Sequence, residues 1–263
     1  MTQTYGLALW WGWARGYAHI GAIQYLQENN IEIEEVAGAS MWAFIGAMYA
    51  SGISTQLMQH ILSQVSYGKL FDGSIDTGAF GGKKLTLWLE SIFGTSKIED
   101  CSISLKIVSC DVQTGEKVVF DTWPIVDAVR ASVAFPGLLS PLILDDKYLM
   151  DGGIVDNLPI DLIDNDHVIA ISVVDNLYEK IENTQSFWWI KIPELTISKT
   201  QRILNNSVNI MIQRIEDLTI QSTDKKLILV RPEMQDYSMF DIEKLPEIVA
   251  LGYTETKKVW EKK

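Results

Sequence analysis

Short apolar runs alternate with helical patterns along this chain, and that alternation restricts the fold more than any other feature. "YGLAL" at residues 5–9 reads as a strand, and residues 14–29 as a helix. "IEIEEVAGAS" (31–40) is a strand that runs into a turn, with a helix over 41–50. "LKIVSCDV" (105–112) is a strand, and "EKVVFD" (116–121) pairs back on it across the turn Gln113-Thr114-Gly115. Pro124 opens the helix "PIVDAVRASVAF". "LILDDKYLMDGG" (142–153) reads as two short strands about an Asp-Asp-Lys turn. "HVIAISVVD" (167–175) is apolar without alternation, the mark of a strand covered on both faces. Leu204, Val208, Met211, Ile215 and Leu218 recur four and three apart, which predicts a helix that buries this stripe. "KKLILVRPE" is a last strand and residues 243–261 a last helix. The pattern predicts an α/β fold with a mostly parallel sheet between helices. With no repeat and no low-complexity linker, one domain over residues 1–263 is expected.

Composition narrows the function. The formal net charge is −12, which argues against binding nucleic acid or anionic membrane through bulk charge and leaves room for a local docking face. No segment has the length of a membrane-spanning helix, and the N-terminus lacks a basic region and a small-residue cleavage site. Cys101 and Cys110 lack metal-ligand spacing with His19, His60 and His167, so reduced cysteines in a cytoplasmic protein are expected.

Three turns carry residues suited to chemistry. In "VAGASM", Ser40 stands between a strand and a helix, the setting of a nucleophile elbow. Gly38 lets the chain turn, and the helix starting at Met41 offers its positive end. Capping of that helix by Ser40 is the equally simple reading. Gly12 and Gly16 lie in the first strand-to-helix turn, where backbone N–H groups can hold an anion. A dinucleotide fingerprint is incomplete there, and an oxyanion hole with Arg15 in support is the alternative. "DGG" at 151–153 reads as a turn, or as the source of a base for Ser40, whose hydroxyl is a weak nucleophile alone.

Taken in order, "GLAL", "ARGYAHIGAIQYL", "VAGASM", "AMYASG", "CDVQTGEKVVF", "AVRASVAFPGLLSP" and "LMDGGIVDNLPI" resemble the patatin-like phospholipase family in its bacterial branch. The likeness runs over residues 6–175, about two thirds of the chain. It implies a three-layer α/β/α sandwich and a serine lipid acyl hydrolase that works through an acyl-enzyme. By motif, Ser40 is the nucleophile and Asp151 the general base, a dyad needing no histidine, metal or cofactor. The turn around Gly12 would supply the oxyanion hole. Substrates would be fatty-acyl esters, chiefly phospholipids or lysophospholipids, met through a peripheral membrane contact.

The chain departs from the family pattern at four tryptophans. Trp10, Trp11 and Trp13 stand where the family has the Ser-Gly-Gly of its loop, around Gly12, and Trp42 replaces the last glycine of the elbow. An indole suits neither a positive φ nor a close backbone approach. The expectation is a strained loop, an elbow helix pushed off its strand, and a weak or inactive catalyst. Core packing is a poor explanation at such turns. A relative that has lost catalysis, an altered sequence, or indoles lining an acyl pocket remain the readings. The rival of another class is a non-catalytic lipid-binding or interaction protein on the same fold. A Ser40–Asp–His167 triad, in the chain order of α/β-hydrolases, is a third reading. His19 is expected to pack rather than react. "SFWWIKIP" (186–193) suits a lid, a membrane-interface contact, a loop over the core or a subunit contact.

Overall fold

The computed structural model describes residues 3–10, 13–65, 70, 72, 80–173, 199–237 and 241–263. Eight strands form one sheet: β1 (Thr4–Trp10), β2 (Glu32–Ala39), β3 (Ser104–Asp111), β4 (Glu116–Phe120), β5 (Leu142–Leu144), β6 (Lys147–Asp151), β7 (His167–Ser172) and β8 (Lys226–Val230). Their order is β5-β6-β3-β2-β1-β7-β8, and β4 pairs with β3. β1, β2, β3, β7 and β8 run parallel, whereas β4, β5 and β6 are antiparallel additions. The central strands are apolar on both faces because helices cover both: Leu7, Ala8 and Leu9 of β1, and Val168 to Ile171 of β7, are fully buried.

Helices α1 (Tyr17–Glu28), α2 (Met41–Ala50), α3 (Thr55–Ser63), α4 (Lys83–Phe93), α5 (Ile125–Ser132), α6 (Lys199–Ser222) and α7 (Leu245–Trp260) fill the connections. α1 packs along α7, while α2 lies on β1, β2 and β3 beside α5. The result is a three-layer α/β/α sandwich, as the alternation predicts. The expected first helix begins as a 3-10 turn, Trp13–Gly16, before α1 proper.

One expectation fails in detail. α6 exists, but it does not bury the apolar stripe of Met211 and Leu218, which are 58% and 49% exposed. Asn209, Ile212 and Glu216 face inward instead. Polar partners from the segments beside the sheet hold that face: Arg231, just past β8, donates from Nη2 to Glu216 Oε1 at 2.7 Å, and Asn157, between β6 and β7, from Nδ2 to the Ile212 carbonyl. Spacing alone ranks apolar positions above polar ones and has no means of seeing these partners. The stretch 186–193 lies outside the described residues.

Candidate active site

Strand register brings two distant residues together. Along one edge of β3, β2 pairs as far as Ala39–Val108, and β6 takes over at Asp151–Ser109. Ser40 therefore leaves β2 beside the place where Asp151 leaves β6. Ser40 Oγ donates a hydrogen bond to Asp151 Oδ2 at 2.7 Å.

Ser40 has φ 62° and ψ −140°, a conformation that costs of order 1–3 kcal/mol for a residue with a side chain. What enforces it is Ser132, on the last turn of α5. The Ser132 hydroxyl accepts the Ser40 backbone N–H at 2.8 Å and donates to the Val108 carbonyl at 2.6 Å. Ser40 does not cap α2 with its side chain, so the capping reading is replaced by the bond to Asp151. Gly38 allows the close return of the helix, since a Cβ there would sit 3.0 Å from the Trp42 carbonyl oxygen.

Asp151 is 1% exposed. Burial pushes its carboxyl up to about 6, and the bonds from Ser40 and from the Gly153 N–H (2.8 Å, to Oδ1) hold it from rising further. The turn that follows must be glycine, because a Cβ on Gly152 would lie 2.2 Å from the Val108 carbonyl oxygen. Beyond it, Lys117 of β4 bridges Asp156 and Asp161 at 3.0 and 2.7 Å and fastens the segment after Asp151 to the sheet. Burial raises the Asp156 carboxyl, with Lys117 opposing.

Trp42 overturns two expectations. It is fully buried, so core packing does account for it, and the elbow is closed around it. Its indole stacks on the imidazole of His19, ring centroids 3.7 Å apart and 14° from parallel. The space comes from Gly16: a Cβ there would lie 1.7 Å from the tip of the indole. His19 packs as expected. Its Nε2 bonds the Ile171 carbonyl at 3.1 Å, and burial lowers its pKa to about 3, so the ring is neutral.

The proposed oxyanion loop is described only in part. Trp11 and Gly12 lie outside the described residues. The backbones of Trp10 and Trp13 belong to β1 and to the 3-10 turn Trp13–Gly16. Arg15 donates from Nε to the Tyr237 carbonyl at 2.7 Å and so ties this turn to the segment after β8. An apolar cavity of about 50 Å³ opens beside the elbow, lined among others by Ala14, Met41, Phe44, Leu85, Trp88 and Val133. Trp42 is not part of its wall.

His167 does not join the site. Gly6 pairs with both Glu35 and Val168, so His167 lies one residue below the level of Glu35, while Ser40 lies five residues above it. Six residues of strand span about 20 Å, which rules out a Ser40–Asp151–His167 triad. The imidazole instead packs edge-on against Tyr5. Cys101 and Cys110 are both free thiols. Ser132, Lys117 and Asp156 are the contributors that motif reading passed over. Their sequence signal was their place within the strings "RASVAFPG", "CDVQTGEKVVF" and "DGGIVDN".

The patatin-like phospholipase family model matches residues 12–164, more than half of the chain. The chain belongs to this family. An uncharacterized NTE family protein of Mycobacterium tuberculosis is 38% identical over 173 residues, 64% of this chain and 48% of that protein. Lysophospholipase NTE1 of Meyerozyma guilliermondii is 25% identical over 95% of this chain and 19% of its own length. The chain thus spans less than half the length of these curated relatives. Among solved structures, VipD from Legionella pneumophila shares the fold with a TM-score of 0.63 at 15% identity, over 99% of this chain and 67% of that one.

Proposed function

We propose that this patatin-like chain is a serine acyl hydrolase for fatty-acyl esters of the phospholipid or lysophospholipid kind, built as one domain over residues 1–263. The observation that carries the reading is the 2.7 Å bond from Ser40 Oγ to a buried Asp151 beside an apolar cavity. Asp151 takes the Ser40 proton as Oγ attacks the ester carbonyl, and returns it to the departing alcohol. Water then attacks the acyl-enzyme by the reverse proton path. N–H groups of the Gly12 turn, with Trp11, Trp13, Arg15 and Gly16 around them, and of the α2 N-terminus at Met41 and Trp42, face the developing oxyanion. The cavity takes the first carbons of the acyl chain. Neither step needs a metal or cofactor. The lysophospholipase name of several relatives supports the substrate class.

Turnover is expected to be low, because Trp10, Trp11 and Trp13 occupy the donor loop. That feature favours the second reading, a lipid-binding protein that keeps the fold without catalysis. Hydrolysis of p-nitrophenyl esters and of lysophosphatidylcholine, compared between the chain and Ser40→Ala, separates them. Turnover that Ser40→Ala abolishes supports the hydrolase; no turnover at any chain length alongside intact lipid binding supports the binder, and turnover that survives Ser40→Ala counts against both. A cytoplasmic protein with a peripheral lipid contact fits this function, and no described helix is long and apolar enough to cross a membrane.

A further inference from the structure

Arg130 is 3% exposed on α5, two residues before Ser132, and the Ser40–Asp151 pair makes no use of it. Arginine is almost never buried so deeply unless it is paired. Here Nη2 donates to two backbone carbonyls, Gly81 at 3.1 Å and Ser140 at 2.9 Å. Asp72 supplies the opposing charge. The same carboxylate accepts the Gly82 and Lys83 N–H groups, at 2.8 and 3.3 Å, where α4 begins. Gly82 fits this contact twice over: its φ is +87°, and a Cβ on it would lie 2.1 Å from Arg130 Nη2.

Each segment gathered at this guanidinium carries part of the wall of the cavity beside the elbow. Leu70 stands two residues before Asp72, Leu85 and Trp88 lie on α4, Leu139 precedes Ser140, and α5 itself adds Val129. Main-chain bonds run from Phe80 to Leu138 and Ser140, and from Gly81 to Asp72. The guanidinium adds the polar bonds from this set to α5, the helix whose Ser132 holds the Ser40 N–H. Stability alone does not account for it. Nη1 has no hydrogen-bond partner among the described residues, and an apolar side chain of similar volume would fill the space without burying a charge. What the cation contributes is position, since buried polar bonds fix an arrangement that apolar contact leaves adjustable. The cavity is only about 50 Å³, so a small shift of its wall changes what it admits.

We propose that Arg130 is a positioning residue for the acyl group: by tying Gly81, Ser140 and, through Asp72, the start of α4 to α5, it sets the shape of the cavity and so which acyl chains the reaction at Ser40 accepts. This deepens the proposed hydrolase and rests on that reading, while the binding of a small alcohol tests the cavity apart from turnover. kcat and KM for p-nitrophenyl acetate and hexanoate are measured with the parent, Arg130→Met and Arg130→Lys, well below each melting temperature, and 1-hexanol binding is followed by calorimetry. Both bonds leave one nitrogen, so a lysine ammonium can donate them, whereas methionine fills the volume and donates neither. The expected result is a preference for hexanoate over acetate that falls at least about tenfold in Arg130→Met, chiefly through KM for hexanoate, with 1-hexanol binding weakened alike. Arg130→Lys should restore most of both. If Arg130→Met does not fold, Asp72→Ala, which keeps the arginine at a half-buried position of the network, should shift the ratio the same way by a smaller factor. Equal losses on the two esters would make Arg130 merely structural and overturn the proposal. So would an unchanged ratio with unchanged hexanol binding, or a parent that neither binds hexanol nor prefers hexanoate. Where no ester is turned over, the hydrolase reading fails and hexanol binding alone decides: a loss in Arg130→Met that Arg130→Lys restores supports the positioning role, and no loss overturns it.

Discussion

The indole of Trp42 lies flat on the imidazole of His19, with ring centroids 3.7 Å apart, beneath the turn that ends at Gly16. Among the described residues the indole Nε1 of Trp42 has no hydrogen-bond partner. The stack therefore stabilises through area and dispersion, against the cost of that buried N–H.

Removing the indole should destabilise the protein, the reverse of what the bulk of tryptophan at a glycine position suggests. Trp42→Gly deletes a fully buried side chain and is expected to cost about 3–5 kcal/mol, in the range of large-to-small core changes. Trp42→Phe keeps a ring and discards the unpartnered N–H, so its cost should be below about 1.5 kcal/mol. Urea unfolding of the two variants measures this. A Trp42→Gly chain as stable as the parent would mean that the indole strains the elbow.

Asp151 sets a pH dependence with opposite signs for activity and stability. Its carboxyl must be ionised to take the Ser40 proton, so any Ser40-dependent turnover should rise with pH through about 6. Stability runs the other way. The folded pKa is raised above the unfolded 3.8, so between about pH 4 and 6 the folded chain keeps a proton that the unfolded chain has released. Stability falls across that window and stays lower above it, by of order 3 kcal/mol. Asp151→Asn should therefore abolish turnover yet melt higher than the parent near pH 8, with the gain shrinking toward pH 4. A variant that melts lower at both pH values contradicts this account.

Much of the fold was legible in the sequence. The strand around residues 167–172 declared itself because a parallel strand covered on both faces is continuously apolar, those around 5–9, 31–39 and 105–111 showed as short β-like runs between helical patterns, and Asp145 and Asp146 marked the β5–β6 turn with positive φ. The two partners of the site could be named, but their meeting depends on β6 following β2 along the same edge of β3, a pairing between segments far apart in the chain. The fit of Trp42 was hidden for a similar reason, since the room for it is made by Gly16 on another element. The reversed faces of α6 escaped because helical spacing identifies a stripe without saying which side the sheet will offer partners to.

Ser132 offers a test of how the elbow is held. Its hydroxyl is the sole partner assigned to the Ser40 N–H among the described residues, and it is itself fully buried. Ser132→Ala leaves that N–H unpaired and should cost about 1–3 kcal/mol. Because the strained φ of Ser40 then loses a restraint, kcat should fall by more than KM rises. Ser132→Thr keeps the hydroxyl and should recover much of both. Loss of stability with kcat unchanged would show that the elbow holds its shape without this bond.

The last prediction concerns the tryptophans of the donor loop. Trp42 packs in the core, whereas Trp10, Trp11 and Trp13 stand in the sequence at the turn proposed to supply the oxyanion donors. Trp10→Ser/Trp11→Gly/Trp13→Gly, with Trp42 left in place, is therefore the restoring set. Ser40, Asp151 and Ser132 already stand within bonding distance, so nucleophile, base and elbow need no rebuilding. One recovered donor is worth about 10²–10³ in rate, and the three changes belong together because parts of one catalytic unit are not additive. Ester hydrolysis should rise by about that factor, be abolished by Ser40→Ala in the restored background, and keep its rise through pH 6. Adding Trp42→Gly should lower stability without a further gain in rate. A restored chain that folds, binds lipid and shows no Ser40-dependent turnover would decide for the non-catalytic lipid binder.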